Sequence, residues 1–167
     1  LHPILHLNAE EALRYTASVS GRMGRMEGIA DRPADMPQGH RGADDPSCGA
    51  ASEAVRNACI RLSKRTGNAV IITMGASGSM LTEGPGCPPV LIPAYPAQPG
   101  GDTIGAGDSH IGSVIALIKK GFSLEEAVSC AGIVSAAVVS AAGSTLSENR
   151  FQEVLALMQK QMPERIL

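Results

Sequence analysis

Aromatic side chains are almost missing from this sequence: its 167 residues include no Trp, two Tyr and two Phe. Any core must therefore come from Ala, Val, Ile and Leu, which the 44% apolar content allows. One domain of this length can bury roughly two thirds of the surface that its unfolded chain exposes. The same scarcity argues against stacking on nucleobases. An excess of one charge is missing too. Fourteen Lys and Arg stand against sixteen Asp and Glu, a formal net charge of -2, so there is no basic field for nucleic acid and any bound phosphate must be gripped locally. No apolar run approaches the ~20 residues that span a bilayer, and the start lacks a charged segment followed by an apolar signal stretch. A soluble, cytoplasmic protein with no membrane partner is expected. The cysteines, Cys48, Cys59, Cys87 and Cys130, show no paired spacing, which argues against a zinc knuckle or redox pair and leaves reduced, mostly buried thiols. An initiator Met is also missing, and Leu1 leads almost directly into a strand-like run, as expected of a chain truncated at its N-terminus.

What is present alternates between strand and helix patterns. Ile4 to Leu7 reads as a short strand, and Asn8 caps a helix through about Tyr15 with Glu10 and Glu11 in its first turn. From Ala17 to Ala50 the apolar period vanishes while Gly and Pro recur, so 17–50 reads as a flexible insertion. Structureless loops of that length are uncommon in compact domains, leaving three alternatives: disorder, an oligomer contact such as a homodimer would use, or a failed assignment. Ser52 caps a helix with Val55, Ala58, Cys59 and Leu62 on one face, and Gly67 stops it. Val70 to Ile72 is a continuous apolar run, as in a parallel strand covered on both faces. Short strands are expected at Ser79 to Leu81 and Val90 to Ile92. Past Pro99, a glycine-rich stretch enters a helix with Ile111, Val114, Ile115 and Ile118 on one side and Gly121 as its stop. Ser123 and Glu126 form a capping box for a small-residue helix closed by Gly143. A last helix follows Ser147 with Phe151, Val154, Leu155 and Met158 facing inward. This alternation indicates a layered α/β sheet.

The chemistry is concentrated in Gly101-Asp102-Thr103-Ile104-Gly105-Ala106-Gly107-Asp108-Ser109. Two glycines around an alanine let the backbone fold tightly and aim several N–H groups at one point, a nest for an anion. The helix starting there adds its positive end. A carboxylate at Asp108 then stands beside whatever oxygen the anion accepts or loses, a combination suited to phosphoryl transfer. The helix start lowers a carboxylate's pKa while phosphate charge raises it. The loose transition state of phosphoryl transfer needs orientation of the acceptor hydroxyl more than early proton removal.

Asp102-Thr103-Ile104-Gly105-Ala106-Gly107-Asp108 resembles the second signature of the ribokinase or PfkB carbohydrate kinases. The resemblance implies a ribokinase-like, Rossmann-like α/β layered sheet with flanking helices, lacking the N-terminal half and lid. It also implies ATP and Mg²⁺ as cofactors, with K⁺ in some members. By resemblance, Gly105, Ala106 and Gly107 form the anion hole and Asp108 deprotonates the substrate hydroxyl. Asn8-Ala9-Glu10-Glu11 is similar to the family's Asn-x-x-Glu motif, with Asn8 near the phosphates and Glu11 on the Mg²⁺ side through water. Thr73, Gly75 and Gly78 match the Thr-x-Gly-x-x-Gly turn against the nucleotide. Asp102, Gly143 and Ser147 match the monovalent-cation loop. The likeness extends over most of the chain from Leu7, and from Ser52 to about Leu155, but not over the insertion. Two departures stand out: His110 occupies the place of the family's usual Phe, and no first signature or lid strand is present.

Plainer readings exist for each element. Asn8 and Glu11 taken alone are a helix cap, the Thr73 turn alone is an ordinary strand exit, and one His at a helix start is more often a packing or surface residue. His2, His6 and His40 do not cluster in sequence, and Lys119-Lys120 complements a helix dipole. The leading function is an ATP-dependent kinase acting on a hydroxyl of a sugar, nucleoside or related small molecule. Gly107-Asp108-Ser109-His110 also resembles the late loop of haloacid-dehalogenase-type phosphatases, but the Asp-x-Asp-x-Thr nucleophile segment is absent. A third alternative is a nucleotide-binding fragment without transfer activity.

Overall fold

The computed structural model describes residues 3–20, 46–98, 101–141 and 146–162. The chain order is β1 (Ile4–Asn8), α1 (Ala9–Ser20), α2 (Pro46–Thr66), β2 (Ala69–Thr73), a 3-10 turn (Gly75–Ser77), β3 (Ser79–Thr82), β4 (Val90–Ile92), α3 (Ala106–Lys119), α4 (Leu124–Val139) and α5 (Glu148–Gln161). The strands form one sheet in the order β1-β2-β3-β4. β1 and β2 are parallel, while β3 and β4 each join antiparallel. Parallel pairing of β1 and β2 follows from the long helical crossover between them.

Period-two alternation divides β2 between two cores. Val70 and Ile72 face one side with Met80, packing on Ala12 of α1 and Val55, Ala58, Cys59 and Leu62 of α2. Ile71 faces the other with Leu81 and Ile92, against Val114, Leu117, Val128, Ile133 and Val154 of the three C-terminal helices. Helices thus cover both faces of the sheet, and a strand buried on both sides reads as the unbroken apolar run that marks it in sequence. Small residues let α3 and α4 pack along their length, with Ala127, Cys130, Ala131 and Ala137 buried.

Local chemistry sets the helix ends. In α4 the Ser123 hydroxyl accepts from the Glu126 amide and the Glu126 carboxylate from the Ser123 amide, the expected capping box. Gly67 and Gly121 adopt positive φ just past α2 and α3.

Several expectations need correction. α1 continues to Ser20 and α2 begins at Pro46, with Ser52 inside it rather than capping it, so residues 17–20 and 46–50, expected to lack regular structure, are helical. Residues 21–45 and Gly143 lie outside the described residues. Ile115 is 49% exposed and Phe151 46%, not inward-facing. His110 and Leu117 take the buried places on α3, while Val154 and Met158 do so on α5. Cys59 and Cys130 are buried free thiols, whereas Cys87 is exposed and Cys48 lies outside the described side chains. Burial raises the Cys59 thiol to about 11. Among the described residues no helix is long and apolar enough to cross a membrane.

Candidate active site

Asn8 and Thr73 end the two parallel strands in matched register, so the chain leaves both strands at one edge of the sheet. Ligand crevices in open α/β sheets form outside such carboxyl ends. At the first exit the Glu11 amide donates to Asn8 Oδ1 at 2.8 Å and the Asn8 amide to Glu11 Oε2 at 2.9 Å. This reciprocal cap starts α1 and leaves the exposed Glu11 carboxylate with its second oxygen free of hydrogen bonds to other described residues. At the second exit the Thr73 hydroxyl donates to the Leu7 carbonyl at 3.4 Å. The turn closes through Met74 N–H to the Gly78 carbonyl at 2.8 Å and Gly78 N–H to the Gly75 carbonyl at 3.1 Å.

The glycine-rich loop is held by the end of α4: the Gln98 amide donates to the Ser140 hydroxyl at 2.8 Å, and Gly101 passes so near that an added Cβ would lie 1.5 Å from the Val139 carbonyl oxygen. Asp102 Oδ1 then accepts from the Ile104 amide at 3.0 Å. Gly105, in the left-handed region at φ 79°, caps α3. The Ala106 amide turns back to the Thr103 carbonyl at 3.2 Å. The amides of Gly105, Gly107 and Asp108 make no hydrogen bond to another described residue. These are the orphan donors of a helix start, and Asp108, an exposed residue, lies in the same first turn.

A pair of side chains 104 positions apart was not visible in sequence. His6 Nε2 and His110 Nδ1 are 3.3 Å apart, so one neutral imidazole donates to the bare nitrogen of the other, and the ring centroids are 5.3 Å apart. His110 is only 4% exposed, and its Nε2 is buried without a hydrogen-bond partner among the described residues. Burial, helped by the neighbouring His6, pushes His110 down to about 4. Burial also lowers His6, against the opposing pull of the Glu11 and Asp108 carboxylates, so both acids lie within electrostatic reach of that ring. No single-sequence signal marks the pair beyond a His where the family resemblance leads one to expect Phe.

The depressed His110 value has a consequence for stability. Between the ordinary 6.5 and about 4 the unfolded chain binds a proton that the folded state refuses. The folded state therefore keeps its full advantage above pH 6.5 and loses it as pH falls toward 4, by about 2 to 3 kcal/mol. Urea unfolding at pH 7 and near pH 4.5 should show a smaller acid loss in His110→Phe than in the parent chain. Equal losses would refute the assignment.

Other candidates are more dispersed. The exposed Ser147 hydroxyl caps α5 by accepting from the Arg150 amide. Among the described residues no group of three or more His, Cys, Asp or Glu could hold a metal ion. A cavity of about 340 Å³ lies elsewhere, between α1 and α2, lined by Tyr15, Thr16, Arg61, Leu62, Lys64 and Arg65; the glycine loop is open to solvent instead.

Sheet, helix start and strand exits together define an α/β protein whose two parallel strands open onto one edge. Residues 43–150 match the model of the pfkB family carbohydrate kinases. The chain belongs to that family, with the ribokinase-like fold. It is similar to the uncharacterized sugar kinase YegV of Escherichia coli K12, at 43% identity over 65 residues, covering 39% of this chain and 20% of that protein. It superposes on the ADP complex of ribokinase from Cryptococcus neoformans var. grubii serotype A with a TM-score of 0.65 and 22% identity, over 90% of this chain and 44% of that one. For Arabidopsis thaliana ribokinase complexed with ribose and ATP the TM-score is 0.56 and identity 27%, over 64% of this chain and 34% of that one. The chain thus spans less than half the length of these relatives. Family membership displaces the dehalogenase-type reading of Gly107 to His110.

Proposed function

We propose that the full-length protein transfers the terminal phosphoryl group of ATP to a hydroxyl of a sugar, nucleoside or related small molecule. The observation that carries this reading is the exposed Asp108 in the first turn of α3, the turn in which the amides of Gly105, Gly107 and Asp108 make no hydrogen bond to another described residue. Those amides would hold the oxygens of the migrating group, while Asp108 orients the acceptor hydroxyl and takes its proton as the oxygen–phosphorus bond forms and ADP departs. The bent backbone at Gly105 to Gly107, with Ala106 as its middle residue, positions these donors even though the Ala106 amide is itself engaged. The relatives in complex with ADP, and with ribose and ATP, support nucleotide and sugar as the ligand classes.

Asn8, Thr73, Gly75 and Gly78 sit at the strand exits where the nucleotide would lie. Mg²⁺ accompanying the nucleotide supplies neutralisation of phosphate charge. Glu11 would hold this ion through water: its carboxylate is exposed and, among the described residues, belongs to no group of three or more that could hold a metal, as Mg²⁺ sites that retain several waters allow. For K⁺ the proposed groups are Asp102, exposed and half-engaged by the Ile104 amide, with Gly143 and Ser147.

The full-length protein is expected to convert ATP to ADP only with an acceptor present, and the 167-residue chain by itself to turn over negligibly. Coupled ADP detection with ribose, other pentoses and hexoses, and ribonucleosides decides this. Equal turnover with and without acceptor would overturn the reading.

A further inference from the structure

The loop before α3 offers few side chains that could aim its first turn. Gly101, Gly105 and Gly107 have none, Asp102 folds onto its own loop, and Ile104 is 66% exposed. From α4, the Ser135 hydroxyl donates to the Ala106 carbonyl at 3.2 Å, which ties the helix start to a neighbouring helix rather than to the sheet. Toward β1 the connection is made by His110, two residues beyond Asp108, through its 3.3 Å contact with His6. β1 is also the strand that ends at Asn8 and the Glu11 cap.

An imidazole is a costly choice at position 110 if packing is its only task. Its Nε2 is buried with no partner among the described residues, and an unmatched buried polar atom lowers stability, whereas an apolar ring of similar shape carries no such penalty. What imidazole supplies and phenyl cannot is the hydrogen bond to His6.

We propose that the His6–His110 hydrogen bond is a positioning contact, holding the first turn of α3, and with it Asp108, in fixed relation to the end of β1 where Asn8 and Glu11 stand. The two histidines act through the backbone and touch no reacting atom. The inference rests on the reading of Asp108 as the group that orients the acceptor. Misplacing such a group by as little as 1 Å can cost on the order of 10²-fold in rate, so a looser helix start should appear in kcat rather than in nucleotide binding.

The test uses the full-length protein with MgATP and the acceptor panel above, measuring kcat, KM for ATP and thermal midpoint. His110→Phe is expected to keep or raise the midpoint, leave KM for ATP unchanged and lower kcat about tenfold. His6→Leu should lower kcat similarly, and the double variant should be no slower than either single one, because both remove the same contact. His6→Gln, whose amide nitrogen can reach toward His110, should recover most of the lost rate. Parental kcat in both His110→Phe and His6→Leu, or rate losses that multiply in the double variant, would overturn the proposal. So would rate losses tracked by falling midpoints without recovery by Gln, the signature of a merely structural pair. Asp108→Asn, run alongside, separates the two levels. If it is slow while the histidine variants are unaffected, only the positioning inference fails; if it retains the parental rate, the reading of Asp108 fails and takes the inference with it.

Discussion

Asp108→Asn in the full-length protein is expected to leave nucleotide affinity nearly unchanged and to slow the chemical step on the order of 10²-fold or more. The substitution is close to isosteric and sits on an exposed first turn, so neither the helix nor the amides of that turn should be disturbed. On the proposed reading, the variant would lack a proton acceptor and an oriented hydrogen-bond partner for the incoming hydroxyl. Because the amides of Gly105 and Gly107 remain, ATP should bind as before. Single-turnover kinetics with nucleotide titration separates the two effects, and a rate within a factor of about two of the parent would remove Asp108 from the chemistry.

Gly78→Ala should destabilise the chain by about 4 kcal/mol, through overpacking added to backbone strain. Gly78 has φ 91° and ψ -141°, a region that L residues scarcely occupy. An added Cβ would lie 2.1 Å from the Ile92 carbonyl oxygen and 2.8 Å from the Ala94 nitrogen. Both are backbone atoms leaving β4, so no side chain can swing aside. Gly75, in the same turn, has φ 58° with open space around its Cβ position, and its Ala variant should lose only about 1 to 2 kcal/mol, the cost of a left-handed residue. Urea midpoints of the two variants provide the comparison, and equal midpoints would contradict the close approach at Gly78. The second glycine of this turn is thus required by the fold itself, whatever lies against the turn as ligand.

Much of the framework was legible because it depends on short-range chemistry. The Val70-Ile71-Ile72 run identifies a strand covered on both faces, Val55, Ala58, Cys59 and Leu62 mark the buried face of α2, and Ser123 with Glu126 forms the cap its spacing announces. Asp108 falls on the first turn of α3 because Gly105 can enter the left-handed region just before it. Helix lengths were less legible: once a helix is nucleated, each further residue adds a hydrogen bond even without an apolar period, and α1 and α2 run on to Ser20 and back to Pro46. Ile115 and Phe151 were misjudged for another reason. A periodic stripe says that a face is apolar, but the rotation of the helix on its neighbours selects which members of that stripe are covered.

Residue order by itself determined the alternation of strands and helices, the glycine-bounded helix start and the carboxylate beside it, since each is set by neighbours within a few positions along the chain. Only the tertiary structure decided that Asn8 and Thr73 share one edge of the sheet, that Gly78 is pressed against the exit of β4, and that His6 meets His110. Those relations join residues far apart in the chain, and parallel pairing together with helix packing brings them into contact.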